Sequence, residues 1–223
     1  MAIDQILSMS FRLIDEISVM VTIIAVLVSS IKNFRSIVVD KDFNIKNQII
    51  MILLFGTFSI YANYGGIKLS SGAIVNVRDI GPLFAGLVGG PVIGLGAGLI
   101  GGINRYFAGG FTAVPCSIAT ISAGLIGGII YLINKKEYVG TYKAVIIAIL
   151  VQMYHMGITL ILAKPYSLAL ETVETVIVPM IIGNALGIGI FSLIIGGLIQ
   201  DKKKIKKLEE DIEIITAKDE QLI

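Results

Sequence analysis

The feature that most constrains this chain is residues 76–128, an apolar stretch dense in glycine that contains two arginines. The string AGLxGG occurs in it three times, at 85–90, 97–102 and 123–128. Gly94, Gly98 and Gly102 recur every four residues, which places them on one face of a helix. Membrane helices gain little from apolar burial and pack instead by close backbone approach between small residues. The stretch therefore predicts a tight membrane packing core.

Length and composition support this interpretation. The chain has 223 residues, of which 55% are apolar and 15% charged, with a mean hydropathy of +0.88. Several apolar runs are long enough to cross a bilayer. They are roughly 17–31, 48–64, 73–103, 113–133, 142–162 and 175–199. The single cysteine, Cys116, excludes an internal disulfide.

The distribution of basic residues decides the topology. Three clusters should all be cytoplasmic under the positive-inside rule. They are Lys32, Arg35, Lys41 and Lys46; Lys135, Lys136 and Lys143; and Lys202, Lys203, Lys204, Lys206 and Lys207. The first two clusters lie on one side only if an even number of crossings separates them.

A hairpin at 73–103 satisfies that requirement, because Gly89-Gly90-Pro91 at its centre is a strong turn signal. The predicted fold is thus an all-α, polytopic membrane helix bundle with five ordinary spans, a Gly-rich helical hairpin and a C-terminal cytoplasmic helix. The N-terminus would lie outside and the C-terminus inside. We expect a membrane domain over 1–200 and a cytoplasmic coiled-coil helix over 201–223.

The last segment has heptad character after a basic start that suits anionic lipid. Its a and d positions are Ile205, Leu208, Ile212, Ile215, Asp219 and Leu222. These heptads favour a parallel coiled coil that continues from the last span. A merely solvated helix is the alternative that the pattern leaves open.

The two arginines, Arg78 and Arg105, are the first candidates for binding. An intramembrane arginine is costly and indicates function by default. The hairpin would bring both to the outer mouth, where two guanidinium groups can hold a carboxylate or phosphate. The other interpretations are snorkelling to lipid headgroups and, for Arg78, a pairing with Asp79.

Small polar groups near these arginines could complete a cleft. Half-helices that begin near Ile80 and Thr112 would direct their positive ends at the same mouth. Thr112, Cys116 and Ser117 follow Arg105 closely and could line the cleft. For Cys116 a role as a small buried hydrophobe stays open.

Two further polar residues lie inside apolar spans. His155 is the only histidine and is either a proton-sensitive partner or a hydrogen-bond partner of a neighbouring helix. Asn184 is either an interhelical contact or, together with His155, a residue that couples the cleft to the helix leading into the coil. The sequence contains no hydrolytic, redox, metal-binding or phosphate-loop constellation, so we expect neither an enzyme nor a cofactor.

Several ordered motifs resemble one family. They are N-x-R-x-x-G with Asn76, Arg78 and Gly81, the run from Ala85 to Tyr106, GGFTAVPC at 109–116, KPY at 164–166 and PM-x-x-x-N at 179–184. Over about 20–200 the chain resembles the LytS-type five-transmembrane sensor domain of bacterial histidine kinases and some diguanylate cyclases. A weaker likeness is to the substrate-binding S-components of energy-coupling-factor transporters.

The resemblance implies an extracellular ligand such as pyruvate or a similar small carboxylate. By this resemblance, the family's two arginines correspond to Arg78 and Arg105 and its cysteine corresponds to Cys116. The asparagine of the N-x-R-x-x-G motif corresponds to Asn76. Relatives often have a serine where this chain has Ala119, which leaves the exact ligand open. Relatives also continue into an output module, so signalling would need a separate chain, or these residues are only the sensor part.

The sequence therefore predicts a sensor in the bacterial cytoplasmic membrane. Its expected partners are a small anion, membrane lipid, a second copy of the chain in a homodimer and a kinase or cyclase output module, with no nucleic acid. An S-component-like transport subunit is the alternative, and a structural scaffold that dimerises through the coil is a third.

Overall fold

The computed structural model describes residues 3–30 and 37–220. Lys32, Arg35 and Leu222, which belong to the predicted basic cluster and heptads, lie outside the described residues. The described helices are α1 (Ile3–Ser30), α2 (Ile45–Gly65), α3 (Ile80–Gly89), α4 (Pro91–Phe107), α5 (Ala113–Ile133), α6 (Thr141–Leu162) and α7 (Tyr166–Glu220). Two short strands, β1 (Ile67–Lys68) and β2 (Ile74–Val75), pair antiparallel. The all-α bundle is confirmed.

The predicted glycine hairpin is formed by α3 and α4. Gly90 connects them with φ of +86°, a left-handed conformation that glycine adopts without steric cost, and Pro91 starts α4. The turn packs against the C-terminal part of α5, because Gly90 lies against the Tyr131 ring and Pro91 against Gly128. The hairpin thus extends close to the end of α5.

Glycines bring α4 and α5 into backbone contact. A Cβ on Gly94 would overlap the carbonyl oxygen of Gly124, and one on Gly124 would overlap that of Gly94. Gly98 and Gly102 also face α5, with backbone or side-chain atoms within about 3 Å of where a Cβ would be. The predicted small-residue face is therefore present and lies against α5.

The first arm of the hairpin differs from the predicted run at 73–103. Residues 74–75 form β2, and a helix begins only at Ile80. Ala73 is instead bonded to Leu69 in the β1–β2 hairpin. From β2 the chain enters the bundle in a non-helical conformation, which is acceptable at membrane depth when protein surrounds it. The N-terminus of α3 consequently lies inside the bundle.

Aromatic side chains connect the hairpin to α2 and α7. Phe84 of α3 contacts Phe55 of α2 and Phe191 of α7, with ring centroids 5.9 and 5.5 Å apart. All three are fully buried. Tilted and edge-to-face pairs of this kind add to the free energy of apolar burial. These contacts place α3 between α2 and α7.

Described members of the three basic clusters meet at one end of the bundle, as the positive-inside argument requires. Lys41 Nζ lies 2.8 Å from Glu137 Oε1, Lys203 also pairs with Glu137 at 3.4 Å, and Lys202 pairs with Asp40. These contacts join the α1–α2 connection, the α5–α6 loop and α7. We call this end the basic end.

The last span and the predicted coil are one helix. The run predicted at 175–199 begins earlier, at Tyr166, and α7 continues without a break to Glu220. Beyond the bundle Ile205, Leu208 and Ile215 are more than half exposed. That exposure suits a surface that awaits a partner helix. The coiled coil and the domain boundary at 200 stay predictions.

The number of crossings also stays a prediction. Among the described residues, four helices are long and apolar enough to cross a membrane, namely α2, α5, α6 and the segment Tyr166–Ile215 of α7. The predicted first span, 17–31, is part of the longer helix α1, which is not among these four. α3 is a short apolar helix of 10 residues, about 15 Å long.

The contact between Gly94 and Gly124 can be tested by adding one methyl group. We expect Gly94→Ala to lower the free energy of unfolding by about 1–3 kcal/mol, because the new Cβ has no space. Gly157→Ala is the control, since no atom lies within 4 Å of its Cβ position and alanine favours the helix. Thermal unfolding in detergent measures both. Equal melting temperatures for the two variants would contradict the packing described here.

The ion pairs of Glu137 should make stability depend on pH. A hydrogen bond from Lys41, helped by the charge of Lys203, holds the pKa of Glu137 below its ordinary value of 4.5. The native state then favours the carboxylate more than the unfolded chain does, so this stabilisation is complete at neutral pH and is lost as pH falls below about 4.5. The pair is partly exposed, which limits its contribution to less than about 1 kcal/mol.

We expect Glu137→Gln to lower the melting temperature slightly at neutral pH and to leave it unchanged at about pH 3. Glu209→Gln, at an exposed site on α7, is the control and should have no effect at either pH. If Glu137→Gln lowers the melting temperature by the same amount at both pH values, the ion pairs are not the cause of that decrease.

Candidate ligand-binding site

One face of α5 organises a buried polar cluster. Thr112 directly precedes this helix, and Cys116 and Thr120 follow at intervals of four residues, so their side chains align about 6 Å apart. All three are buried. Each one contacts a different part of the fold, and together they span about 12 Å along the axis of α5.

Thr120 connects Arg78 with Asp79. Arg78 Nε donates to Thr120 Oγ1 at 2.8 Å, and Thr120 Oγ1 donates to Asp79 Oδ1 at 2.6 Å. The guanidinium and carboxylate are also 3.9 Å apart directly. Arg78 is 1% exposed and Asp79 4%. Burying either charge alone would cost several kcal/mol. Each charge therefore stabilises the other, and the Thr120 hydroxyl bonds to both.

A side-chain amide on α2 also contacts Arg78. Arg78 Nη1 lies 3.5 Å from Asn63 Oδ1, and Asn63 Nδ2 donates to Asn104 Oδ1 at 2.9 Å. Arg78 Nη2 is buried and has no hydrogen-bond partner among the described residues. One donor of this guanidinium is therefore left for another acceptor.

Arg105, at the end of α4, donates two hydrogen bonds to neutral oxygens of the described structure. Its Nη1 donates to the Gly109 carbonyl oxygen at 2.6 Å and its Nη2 donates to Thr112 Oγ1 at 2.9 Å. The side chain is fully buried, and its Nε has no hydrogen-bond partner in the described part of the chain. No carboxylate of the described residues lies within 4 Å of it. Two hydrogen bonds to neutral oxygens therefore hold this buried guanidinium in place.

His155 of α6 joins the cluster between the two arginines. Its Nδ1 lies 2.7 Å from Asp79 Oδ2, and its Nε2 lies 3.3 Å from Cys116 Sγ. The imidazole is fully buried. Cys116 also lies one helical turn from Thr112, which accepts a hydrogen bond from Arg105. The cluster therefore joins two cations, a carboxylate, an imidazole and a thiol.

A narrow, mainly apolar cleft opens onto this cluster. It lies between the β1–β2 hairpin, α5, α6 and the start of α7. Its walls are formed by Ala73, Ile74, Thr112, Cys116, His155, Met156, Thr159, Thr172, Val173, Val176 and Met180. The thiol, the imidazole and the hydroxyl that binds Arg105 thus line one space whose other walls are mainly apolar.

The structure brings four of the six predicted ligand-binding residues into the cluster, namely Arg78, Arg105, Cys116 and Thr112. Asn76 is adjacent, and its Oδ1 accepts from the Arg78 backbone at 3.4 Å. Ser117 points elsewhere along α5 and donates to the Ala113 carbonyl oxygen of its own helix. Their roles in binding stay predictions.

The two residues predicted for signal coupling are placed differently. His155 is a central member of the cluster, as described above. Asn184 is buried in α7, where Nδ2 donates to the Met180 carbonyl oxygen at 2.9 Å. Its Oδ1 has no partner among the described residues. Neither the cluster nor an interhelical bond involves Asn184, and its coupling role stays a prediction.

Sequence reasoning missed Thr120 and gave Asp79 only a minor role. Thr120 Oγ1 also lies 3.0 Å from the Cys116 carbonyl oxygen of its own helix. The four-residue spacing of Thr112, Cys116 and Thr120 was the signal that could have placed all three on one face. Asp79 could have been found as the carboxylate needed to offset Arg78.

The fold and the cluster define a polytopic helical membrane domain with a buried, cationic polar site. The family model for the 5TMR of 5TMR-LYT matches residues 31–197. The chain is also 32% identical to the sensor protein LytS of Bacillus anthracis over 221 residues, which cover 91% of this chain and 36% of that protein. The chain belongs to the 5TMR-LYT family and is a multi-pass sensor domain of the bacterial cytoplasmic membrane.

Two other relatives give the same result. Identity is 31% to LytS of Bacillus subtilis, over 91% of this chain and 37% of that protein. It is 33% to the sensor histidine kinase BtsS of Escherichia coli K12, over 67% of this chain and 27% of that protein. The chain thus spans about a third of the length of these curated relatives. No solved structure matches it significantly.

The bridging hydroxyl of Thr120 offers a direct test of the cluster. Thr120→Val keeps the shape of the side chain but leaves Arg78 Nε and Asp79 Oδ1 without their shared partner. We expect it to lower the free energy of unfolding by about 1–3 kcal/mol. Thr22→Val is the matched control, because Thr22 is exposed and bonds only its own helix in the described structure. Indistinguishable unfolding curves for the two variants would argue against the bridge.

Proposed function

We propose that this chain is the ligand-binding part of a bacterial membrane receptor. It binds a small extracellular anion, a pyruvate-like carboxylate, between Arg78 and Arg105 and transmits the signal through α7. The N-terminus then lies outside and the basic end lies in the cytoplasm, where its lysines face anionic lipid.

The main support for this proposal is the buried environment of Arg105. It is a fully buried guanidinium whose described partners are a carbonyl and a hydroxyl. A buried cation is stabilised by a hydrogen-bonded counter-charge, and a carboxylate fits the geometry of a guanidinium. Arg78 adds a free Nη2. A carboxylate bound between the two arginines would satisfy both donors.

A packing contact links this site to α7. Val77 and Ile80 flank the Arg78–Asp79 pair, and they pack against Gly183 and Gly187 of α7. These two glycines are four residues apart, hence on one face of the helix. Because the contact has no spare volume, a displacement of Arg78 toward a ligand would move Val77 and Ile80 against α7.

The relatives suggest what α7 leads to. LytS is named a sensor protein and BtsS a sensor histidine kinase. We infer that α7 connects the site to a kinase-type output module, and that two copies pair through the exposed heptads after residue 200. The S-component-like transport subunit is less well supported, because it requires neither the heptads nor the contact between Val77 and α7.

The proposal is tested by thermal stability against a panel of small anions that includes pyruvate, lactate, acetate and inorganic phosphate. A ligand present at 100 times its dissociation constant stabilises the native state by about 2.7 kcal/mol. We expect a short carboxylate to raise the melting temperature of the wild type. The rise should disappear in Arg105→Ala and Arg78→Ala.

Arg12→Ala is the matched control, since Arg12 is exposed on α1, and it should retain the full response. Arg105→Lys keeps the charge but loses the guanidinium geometry, so it should weaken binding while the domain stays folded. A carboxylate response that persists in both arginine-to-alanine variants would refute the assigned site.

A further inference from the structure

We propose that Cys116 forms a reversible covalent bond to the carbonyl carbon of a 2-oxo acid, with His155 as its base and Asp79 as the residue that orients His155. This inference rests on the proposed function and names its ligand class. The ligand is then a carboxylate with an adjacent electrophilic carbonyl, rather than any small anion.

The first support is the order of the three groups. Cys116 Sγ lies 3.3 Å from His155 Nε2, and His155 Nδ1 lies 2.7 Å from Asp79 Oδ2. A nucleophile, a base in hydrogen-bond reach and a third group that orients the base are the parts of a nucleophilic triad. The three residues come from α5, α6 and the start of α3, so the fold itself assembles them.

Asp79 also determines which imidazole nitrogen carries the proton. An ionised carboxylate only accepts hydrogen bonds, so His155 Nδ1 must be the donor to Asp79. His155 Nε2 then has its lone pair directed toward Cys116 and can take the thiol proton. The thiolate is the nucleophilic form of cysteine.

The cleft supplies the second, independent support. Cys116, His155 and Thr112 all line it, and Thr112 holds Arg105. Two buried guanidinium donors, Arg105 Nε and Arg78 Nη2, have no partner among the described residues. The cleft thus exposes the nucleophile and its base beside the hydroxyl that holds Arg105, and the two unpaired guanidinium donors nearby suit the carboxylate of a 2-oxo acid.

The bond-forming step balances without any further reagent. His155 Nε2 removes the proton from Cys116 Sγ, and the sulfur attacks carbon 2 of the 2-oxo acid to form a C–S bond. The electron pair of the C=O π bond moves to the oxygen, which receives the proton from His155 Nε2. The product is a hemithioketal with every atom retained, and the same steps in reverse release the ligand.

The test compares pyruvate with lactate, which has a hydroxyl in place of the carbonyl and cannot react. Both are titrated into the full chain in detergent, and bound pyruvate labelled with carbon-13 at position 2 is observed by NMR. We expect wild type to bind pyruvate more than about tenfold tighter than lactate. The labelled carbon should give a protein-bound tetrahedral resonance instead of a ketone resonance.

Cys116→Ser is the near-isosteric variant, and it leaves the chain with no thiol, because Cys116 is its single cysteine. We expect its preference for pyruvate over lactate to fall from more than about tenfold to within about twofold. The tetrahedral resonance should be absent. His155→Gln should slow the appearance of that resonance in an otherwise wild-type chain while lactate still binds.

The outcomes separate this inference from the proposed function. Lactate and pyruvate binding equally to wild type, with the labelled carbon still a ketone, would overturn the covalent step and leave the anion receptor intact. A tetrahedral resonance of the same intensity in Cys116→Ser would overturn the role of Cys116. Failure of both acids to bind wild type would overturn the receptor proposal together with the covalent step.

Discussion

The burial of two guanidinium groups is the constraint on which this structure depends. A charge inside a bilayer is tolerated only where protein groups replace water around it. For Arg78 these groups are the carboxylate of Asp79, the hydroxyl of Thr120 and the amide of Asn63. They come from three different segments of the chain, so the arginine fixes how those segments meet.

Glycine packing makes that meeting possible. Arg105 lies at the end of α4 and its partner Thr112 at the start of α5. Only five residues separate the two helices in the chain, 108–112. They remain in contact along their length because Gly94 and Gly124 allow their backbones to touch. Larger residues there would separate α4 from α5 and, with them, the groups that surround the cleft.

The sequence was most informative where one physical signal dominated. The limits of α5, Ala113–Ile133, coincide with the predicted run, because polar or turn-forming residues end the apolar segment on both sides. The hairpin turn at Gly90 was predicted from glycine and proline chemistry together with the distribution of lysines. Both predictions need only neighbouring residues or a count of charged residues along the chain.

Other features depend on tertiary contacts that no local pattern encodes. Helix α7 begins at Tyr166 rather than 175, although Glu171 and Glu174 interrupt its hydrophobicity, because the helical hydrogen bonds do not require apolar side chains. The β1–β2 hairpin was not predicted either, since two-residue strands carry no periodicity. His155 could be identified as exceptional, but its partners Asp79 and Cys116 lie 76 and 39 residues away.

The position of the arginines suggests why the domain can report on a ligand at all. A ligand shifts a two-state equilibrium only by the difference between its affinities for the two states. Arg78 has a carboxylate partner in Asp79 and a free Nη2. A carboxylate that binds Nη2 would also compete with Asp79 for the charge of this guanidinium, while Arg105 has no carboxylate partner within the described structure. Binding would thus weaken one buried interaction as it creates another.

That exchange would change the position of Arg78 relative to Thr120 without exposing a charge. Because Val77 and Ile80 are packed against Gly183 and Gly187, a small shift at Arg78 cannot be absorbed by empty space. Helix α7 is continuous from that contact to beyond the basic end. A displacement at the cleft would therefore appear at residues 202–215, where the ion pairs with Asp40 and Glu137 are weak enough to yield.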